Sequence, residues 1–161
     1  MATSRFTSYG SAADAFQQSD LTGLANGAGK LSTATPVDNS SNRHFYLDLF
    51  FRMTLSSGSF SPGAGAHLAF YLLPRMDDDT SYPDADDSAT AAQQAPITAF
   101  IGAMAARTAA SQTQLLLPPL RGIIIPPGVF KFYVINRLGA NLPSNNVTIA
   151  CRYRTYSEET V

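Results

Sequence analysis

The chain is poor in cysteine, in charge and in long apolar runs. Of its 161 residues only Cys151 is a cysteine, which excludes an internal disulfide and any zinc site built from several cysteines. The stability of the fold must therefore come from packing, and we expect the chain to be made in a reducing cytoplasm. At this length it suits one domain of ordinary size.

Charged residues make up only 14% of the chain, well below the usual quarter. The formal net charge of -1 argues against a protein that binds nucleic acid by neutralising phosphates, because that role requires a clustered basic excess. Serine, threonine, alanine, asparagine and glutamine dominate what remains for the surface. Such a surface is easily desolvated, so we expect association with other proteins.

No apolar run is long enough to span a membrane. Residues 1–10 also lack the basic start and apolar block of a secretory signal. We therefore expect a soluble protein without a membrane partner.

Alternation of apolar and polar residues is the clearest pattern in the chain. Over residues 44–55 every second position is apolar, as in Phe45, Leu47, Leu49, Phe51, Met53 and Leu55. The intervening positions are His44, Tyr46, Asp48, Arg52 and Thr54, and Phe50 is the single exception to the pattern. Because side chains on a strand point to opposite faces with period two, this segment is predicted to be one half-buried β-strand.

Further strands are predicted in the rest of the chain, separated by turns of glycine, proline, asparagine and serine. They cover residues 66–73, 97–104, 112–117, 120–125, 129–136 and 146–154. No segment with helical period is long enough to cover a parallel sheet. Residues 43–161 are therefore predicted to form an all-β domain, an antiparallel β-sandwich of jelly-roll-like type.

Residues 1–42 are predicted to be an extended N-terminal arm, because their apolar residues are too irregular for a core and too frequent for a solvated linker. One short helix is expected at residues 11–18. We expect removal of residues 1–30 to leave the domain folded. The residues predicted to contact a partner are Phe6, Tyr9, Phe16 and Leu21.

A long loop over residues 74–96 carries six of the twelve acidic residues. Oxygen ligands from Asp77, Asp79 and Asp84 are weak candidates for a calcium site, but the spacing lacks the order of an EF-hand loop. The favoured interpretation is a loop that faces solvent or a partner, with Asp77, Asp78 and Asp79 as contact residues. No metal or cofactor is expected.

No catalytic motif stands out. The serines of residues 58–63 do not match a nucleophile elbow, and residues 23–29 lack the ending of a phosphate loop. His44 and His67 lie on different predicted strands without metal-ligand spacing. The chain is therefore predicted not to be an enzyme.

Five segments between residues 44 and 161 carry a resemblance to a known family. They are residues 69–74 (AFYLLP), 82–84 (YPD), 117–119 (LPP), 127–136 (PGVFKFYVIN) and 153–159 (YRTYSEE). In this order and spacing they resemble small virion proteins of tailed bacteriophages, of the kind encoded near the major capsid protein. The family they point to is that of capsid decoration, or cement, proteins.

The resemblance implies a structural protein on the outer surface of the virion that binds the major capsid protein and stabilises the lattice. It also implies self-association as a dimer or a trimer. An alternative function is a binding module of a phage tail or fibre that recognises host saccharide through a platform of aromatic side chains. Candidates for that platform are Tyr46, Phe50, Tyr71, Tyr82 and Tyr133. The absence of tryptophan weakens this alternative.

Overall fold

The computed structural model describes residues 4–6, 11–41, 44–76, 82, 99–109 and 111–160, with the backbone alone for 4–6 and 158–160. These residues form twelve strands and one short helix. In chain order they are β1 Ser4–Phe6, β2 Ala13–Phe16, α1 Gln18–Leu21, β3 Gly29–Leu31, β4 Val37–Asp38, β5 Tyr46–Leu55, β6 His67–Pro74, β7 Phe100–Ala105, β8 Gln114–Leu116, β9 Leu120–Ile124, β10 Val129–Arg137, β11 Val147–Tyr156 and β12 Glu158–Thr160.

Two five-stranded antiparallel sheets account for most of these strands. Sheet 1 has the order β3-β10-β6-β7, and β4 also pairs with β10. Sheet 2 has the order β2-β11-β5-β8, and β9 also pairs with β5. Strands β1 and β12 pair with each other outside both sheets. The structure confirms the predicted all-β antiparallel sandwich.

The core of the sandwich lies between the inner faces of the two sheets. Leu47, Leu49 and Met53 are fully buried on the inner side of β5, as the alternation predicts. Two positions differ from the prediction. Phe45 precedes the strand and is 56% exposed, whereas Asp48, which faces away from the core, is only 2% exposed.

Sheet 1 is apolar on both faces. Its inner side contributes Phe70 and Phe132 to the main core. Its outer side carries a second buried cluster, formed by Ala69, Tyr71, Leu73, Tyr133 and Ile135. Leu31, Tyr82 and Ala99 pack against this outer cluster. Because both faces are buried, β6 and β10 are nearly continuous apolar runs and do not alternate.

The predicted N-terminal arm is wrong for residues 11–41, since this segment belongs to the sandwich. Strand β2 pairs with β11, and β3 and β4 pair with β10. Phe16 is 3% exposed and Leu21 is 0% exposed. The Phe16 ring lies 6.3 Å from that of Phe70 and 6.1 Å from that of Phe132. These apolar residues therefore belong to the core of the sandwich and are not available for contact with a partner.

The short helix predicted at residues 11–18 is also misplaced. Ala13–Phe16 is a strand, and the helix begins at Gln18. The buried Asp20 carboxylate caps the segment by accepting hydrogen bonds from the backbone N–H groups of Gln17 (3.0 Å) and Thr33 (2.9 Å). Within the described helix there is no stretch long and apolar enough to cross a membrane.

Buried amides bind the same N-terminal segment to sheet 1. The Asn136 side-chain amide on β10 donates to the Leu24 carbonyl (2.9 Å) and to the Ala140 carbonyl (3.0 Å). Its oxygen accepts from the backbone N–H of Leu138 (3.0 Å). Among the residues that the structure describes, no buried side-chain nitrogen or oxygen lacks a hydrogen bond. The segment is therefore held by polar contacts as well as by packing.

Candidate interaction surface

The outer face of sheet 2 combines arginine with aromatic side chains. Cys151 lies opposite Phe51 in the register of β11 and β5, and both side chains are buried. Even-numbered residues of both strands therefore point away from the core. We call this surface the arginine–aromatic face, and it consists of Tyr46, Phe50, Arg52, Arg152, Arg154 and Tyr156.

The central part of this face places aromatic and cationic groups side by side. Phe50 lies directly opposite Arg152 and two residues from Arg52 on its own strand. The rings of Tyr46 and Tyr156 stack, with centroids 5.4 Å apart and an angle of 25° between their planes. Both tyrosines are partly exposed, whereas all three arginines are exposed.

Exposed aliphatic side chains border the arginine–aromatic face. Leu116 on β8 lies opposite Arg52 and is 62% exposed. Ile124 on β9 lies opposite Tyr46 and is 75% exposed. Large apolar side chains at the edge of an aromatic and cationic surface are typical of binding sites on folded domains.

An open groove crosses part of this face and has a volume of about 700 Å³. Phe50, Arg52 and Arg152 line it, together with Gln17 and Gln18 at the start of α1. The helix is held there because the Gln18 side-chain amide donates to the Val147 carbonyl (3.1 Å) on β11. The groove is therefore formed by the sheet and by the N-terminal segment together.

Three arginines on the arginine–aromatic face outnumber two carboxylates there, because Asp14 pairs with Arg152 and Asp48 lies opposite Arg154 in the register of β5 and β11. The Nε atom of Arg152 donates to Asp14 Oδ1 at 3.0 Å, and both side chains are about half exposed. Such an exposed pair adds little to stability. Arg52 forms no ion pair or hydrogen bond within the described part of the chain. Its guanidinium group is available for a carboxylate or phosphate of a partner.

Asp48 lies beneath this face and is already satisfied. Its Oδ1 atom accepts hydrogen bonds from the Gly122 backbone N–H (2.9 Å) and from the Tyr156 hydroxyl (3.3 Å). It therefore links β5, β9 and β11 and fixes the position of Tyr156. The role of Asp48 is structural.

The structure separates the residues that the sequence proposed as partner contacts. Phe16 and Leu21 are core residues and are excluded as surface contacts. The backbone of Phe6 belongs to β1, and Tyr9 lies outside the described residues. Asp77, Asp78, Asp79 and Asp84, with the proposed calcium site, also lie outside the described residues.

The predicted aromatic platform divides into two groups. Tyr46 and Phe50 are on the arginine–aromatic face, whereas Tyr71, Tyr82 and Tyr133 belong to the cluster on the opposite side of the sandwich. The three arginines were missed as site residues. Their signal was present in the sequence, because Arg152 and Arg154 alternate with apolar residues in the last predicted strand.

Among the residues that the structure describes, the remaining histidines, cysteine and acidic residues do not assemble into a metal site. His44 lies next to the hydroxyl of Ser157 (3.4 Å), whereas the His67 ring contacts the Gly65 carbonyl (2.9 Å) at the start of β6. The described residues contain no group of three or more histidine, cysteine or acidic side chains placed to hold a metal ion. Cys151 is buried as predicted, and burial raises the pKa of its thiol.

Comparison of the chain with protein-family models, with curated proteins and with solved structures found no match. Fold and surface nevertheless define a class of protein. The chain is an antiparallel β-sandwich with an exposed arginine–aromatic face on one of its two sheets.

Proposed function

We propose that this protein is a structural virion protein of a tailed bacteriophage that decorates the outer surface of the capsid and stabilises its lattice. The observation that carries the proposal is the arginine–aromatic face. Protein interfaces are enriched in aromatic residues and arginine, and these residues supply most of the binding energy. The resemblance of residues 69–159 to decoration proteins supplies the partner, which is the major capsid protein.

The order of strands supports a jelly-roll arrangement. In each sheet a late strand lies between two earlier ones, with β10 between β3 and β6 and β11 between β2 and β5. The connections from β5 to β6, from β9 to β10 and from β10 to β11 each pass from one sheet to the other. Such returns are typical of Greek-key sandwiches, to which jelly rolls belong.

Lattice binding is a role that a small sandwich can fill with moderate contacts. A decoration protein that binds neighbouring capsid subunits, or itself, holds on through several contacts at once. Each additional contact is intramolecular and therefore has a high effective concentration. The proposal accordingly includes a second copy of the chain as a partner, in a dimer or a trimer.

The ribbon of β1 and β12 is a further candidate for contact with the lattice. Ser4–Phe6 pairs with Glu158–Thr160 outside both sheets. A two-stranded ribbon is marginally stable by itself in water, and its free edge can accept a strand from a partner. Phe6 therefore stays a candidate for contact, and Tyr9, outside the described residues, stays a prediction from the sequence, whereas Phe16 and Leu21 are core residues.

Reconstitution on capsids that lack this protein tests the proposal. We expect the full chain to bind at hundreds of copies per particle, as counted by gel densitometry and by electron microscopy. Because Arg52 and Arg152 lie at the centre of the proposed contact, the double variant Arg52→Glu/Arg152→Glu should bind at least about tenfold more weakly. The control variant Arg107→Glu changes an exposed arginine away from this face and should bind normally.

Binding confined to a few copies at the tail would contradict the decoration role. Removal of residues 1–10 separates the ribbon from the arginine–aromatic face, since it leaves β2 and all later strands in place. If this truncated chain binds as well as the full chain, the ribbon makes no essential contact.

The groove favours one second candidate, the recognition of host saccharide by a tail or fibre module. Its volume of about 700 Å³ suits a small ligand, and Phe50 is flanked by arginine and glutamine side chains that can bind hydroxyl groups. Binding of the full chain to a glycan array, and loss of that binding in Phe50→Ala, would favour this function. Capsid binding by Phe50→Ala together with a silent array would exclude it.

A further inference from the structure

The charges of this nearly neutral chain are separated along the sequence and across the fold. Six of its twelve acidic residues fall within residues 77–87. Three of its eleven basic residues are the arginines of the arginine–aromatic face. The net charge of -1 is therefore the sum of opposite charges, which include an acidic stretch and a basic surface within one molecule.

The two strands that flank the acidic stretch both belong to sheet 1. The stretch follows β6, which ends at Pro74, and precedes β7, which begins at Phe100. Within it, Tyr82 packs against the outer cluster of sheet 1, and Lys131 Nζ on β10 lies 5.2 Å from the centroid of the Tyr82 ring. Tyr82, the described residue of the stretch, therefore lies on the outer side of sheet 1.

The arginine–aromatic face lies on the opposite side of the sandwich. Both sheets and the core between them separate it from Tyr82, and packed sheets alone are about 10 Å apart. The basic face and Tyr82 therefore lie on opposite sides of the sandwich. Residues that adjoin Tyr82 in the chain meet the basic face of a second molecule more readily than that of their own.

We propose that residues 77–87 of one copy bind the arginine–aromatic face of a second copy. Arginine forms paired hydrogen bonds with carboxylates, and Arg52 has no partner within the described chain. The exposed Leu116 and the partly exposed Phe50 add apolar area to the same surface. The inference rests on the part of the proposed function that makes a second copy a partner, and it names the two surfaces involved.

The geometry of this contact restricts the assembly. A contact between two different surfaces of identical chains is heterologous, so it forms closed rings or open filaments. A two-fold dimer would need both contacts within one interface, with the acidic stretch of each copy on the basic face of the other. That arrangement is disfavoured because Tyr82 and the basic face lie on opposite sides of the sandwich. Of the two states expected from the sequence, the contact therefore predicts the trimer rather than the two-fold dimer.

Sedimentation of the purified full chain is the first test, because it requires no capsid. At low salt we expect assemblies of three or more copies. Since exposed charges are screened within a few ångströms at high ionic strength, the dissociation constant should rise at least about tenfold between 50 mM and 500 mM salt. A monomer at all concentrations, or a dimer as the largest species, would overturn the proposal.

A charge exchange gives the decisive test. One variant carries Arg52→Glu, Arg152→Glu and Arg154→Glu, and in the other all six aspartates of residues 77–87 are changed to lysine, at Asp77, Asp78, Asp79, Asp84, Asp86 and Asp87. Each variant alone should be monomeric, because the surfaces that meet now carry like charges. A mixture should assemble again, because each basic or acidic surface finds its opposite on the other variant.

The control variant Arg107→Glu should assemble like the unchanged chain. Circular dichroism verifies that each variant is folded, and Arg→Gln changes at the same three positions replace the first variant if it does not fold. Assembly of either charge-reversed variant alone, or a mixture that stays monomeric, would overturn the proposal. Because no capsid is present, this result is independent of whether the protein decorates a lattice.

Discussion

Asp48 is a polar residue whose position on its strand does not reveal its burial. It lies on the outer side of β5, between the partly exposed Tyr46 and Phe50. Two hydrogen bonds, from Gly122 on β9 and Tyr156 on β11, replace the water that this carboxylate loses. A buried polar group that loses its hydrogen-bond partner lowers the free energy of unfolding by the full desolvation penalty of that group.

Replacement of Asp48 tests this structural role. We expect Asp48→Ala to lower the free energy of unfolding by about 1–3 kcal/mol, because the Gly122 N–H and the Tyr156 hydroxyl lose their acceptor. Urea denaturation measures the change. Asp14→Ala removes only an exposed ion pair and should lower stability by less than about 1 kcal/mol. Equal effects of the two substitutions would contradict the buried role of Asp48.

The alternation in β5 correctly predicted which side of the strand each residue occupies, but it could not predict how deeply a residue is buried. Burial of Asp48 depends on β9 and β11, which are distant in sequence. Phe45 shows the opposite error, since it continues the apolar pattern but precedes the strand. The two-residue period therefore predicts which face of the strand a side chain occupies, whereas the neighbouring strands determine how exposed that side chain is.

Strands β5 to β11 were predicted from the sequence, whereas the short strands β2, β3 and β4 were not. Strands β5, β6, β10 and β11 span eight to ten residues, enough for a pattern or an apolar run to show. Strands β2, β3 and β4 span only two to four residues rich in alanine, glycine and aspartate. Their pairing with distant strands determines their structure, and no local signal reports it.

Gly29 in β3 shows how closely one of these short strands approaches the sheet. It lies opposite Ile135 on β10. A Cβ atom at this position would overlap the hydroxyl oxygen of Tyr133 and lie 2.5 Å from the ring carbon that bears it. Glycine is therefore required here by close packing against the outer cluster of sheet 1.

Gly29→Ala should consequently displace β3 from β10. We expect a loss of about 1–3 kcal/mol in the free energy of unfolding, the usual effect of adding an atom to a packed site. Gly63→Ala is the control, because its added Cβ would make only ordinary contact, at 3.4 Å from the Gly139 Cα atom. Thermal denaturation compares both variants with the unchanged chain. A neutral Gly29→Ala would show that β3 does not pack as described.

The arginine–aromatic face depends on the fold of the whole molecule, and it therefore could not be predicted from the sequence. Arg52 and Arg152 are one hundred positions apart, and only the register of β5 with β11 brings them together beside Phe50. The sequence placed the predicted partner contacts elsewhere, among the apolar residues of 1–42, which no predicted strand explained, and at Asp77, Asp78 and Asp79 of the acidic loop. Phe16 and Leu21 were unexplained only because their neighbours in the core come from distant parts of the chain.

The folded molecule therefore depends on residues that the sequence assigned to a dispensable arm. Removal of residues 1–30 would delete β1, β2, α1, most of β3 and five core residues, namely Ala15, Phe16, Leu21, Leu24 and Ala28. Truncation of one buried phenylalanine or leucine to alanine already lowers stability by about 2–5 kcal/mol. Total stabilities of domains are about 5–15 kcal/mol, so three large core residues exceed what the fold can lose.

We accordingly expect the chain without residues 1–30 to be unfolded or aggregated, contrary to the expectation from sequence. The chain without residues 1–10 should stay folded, because it retains β2 to β11 and both sheets. Circular dichroism and thermal denaturation of the two truncated chains measure the difference. A cooperative transition of the shorter chain near that of the full chain would show that the sandwich closes without its N-terminal strands, and residues 11–30 would again be available for a partner.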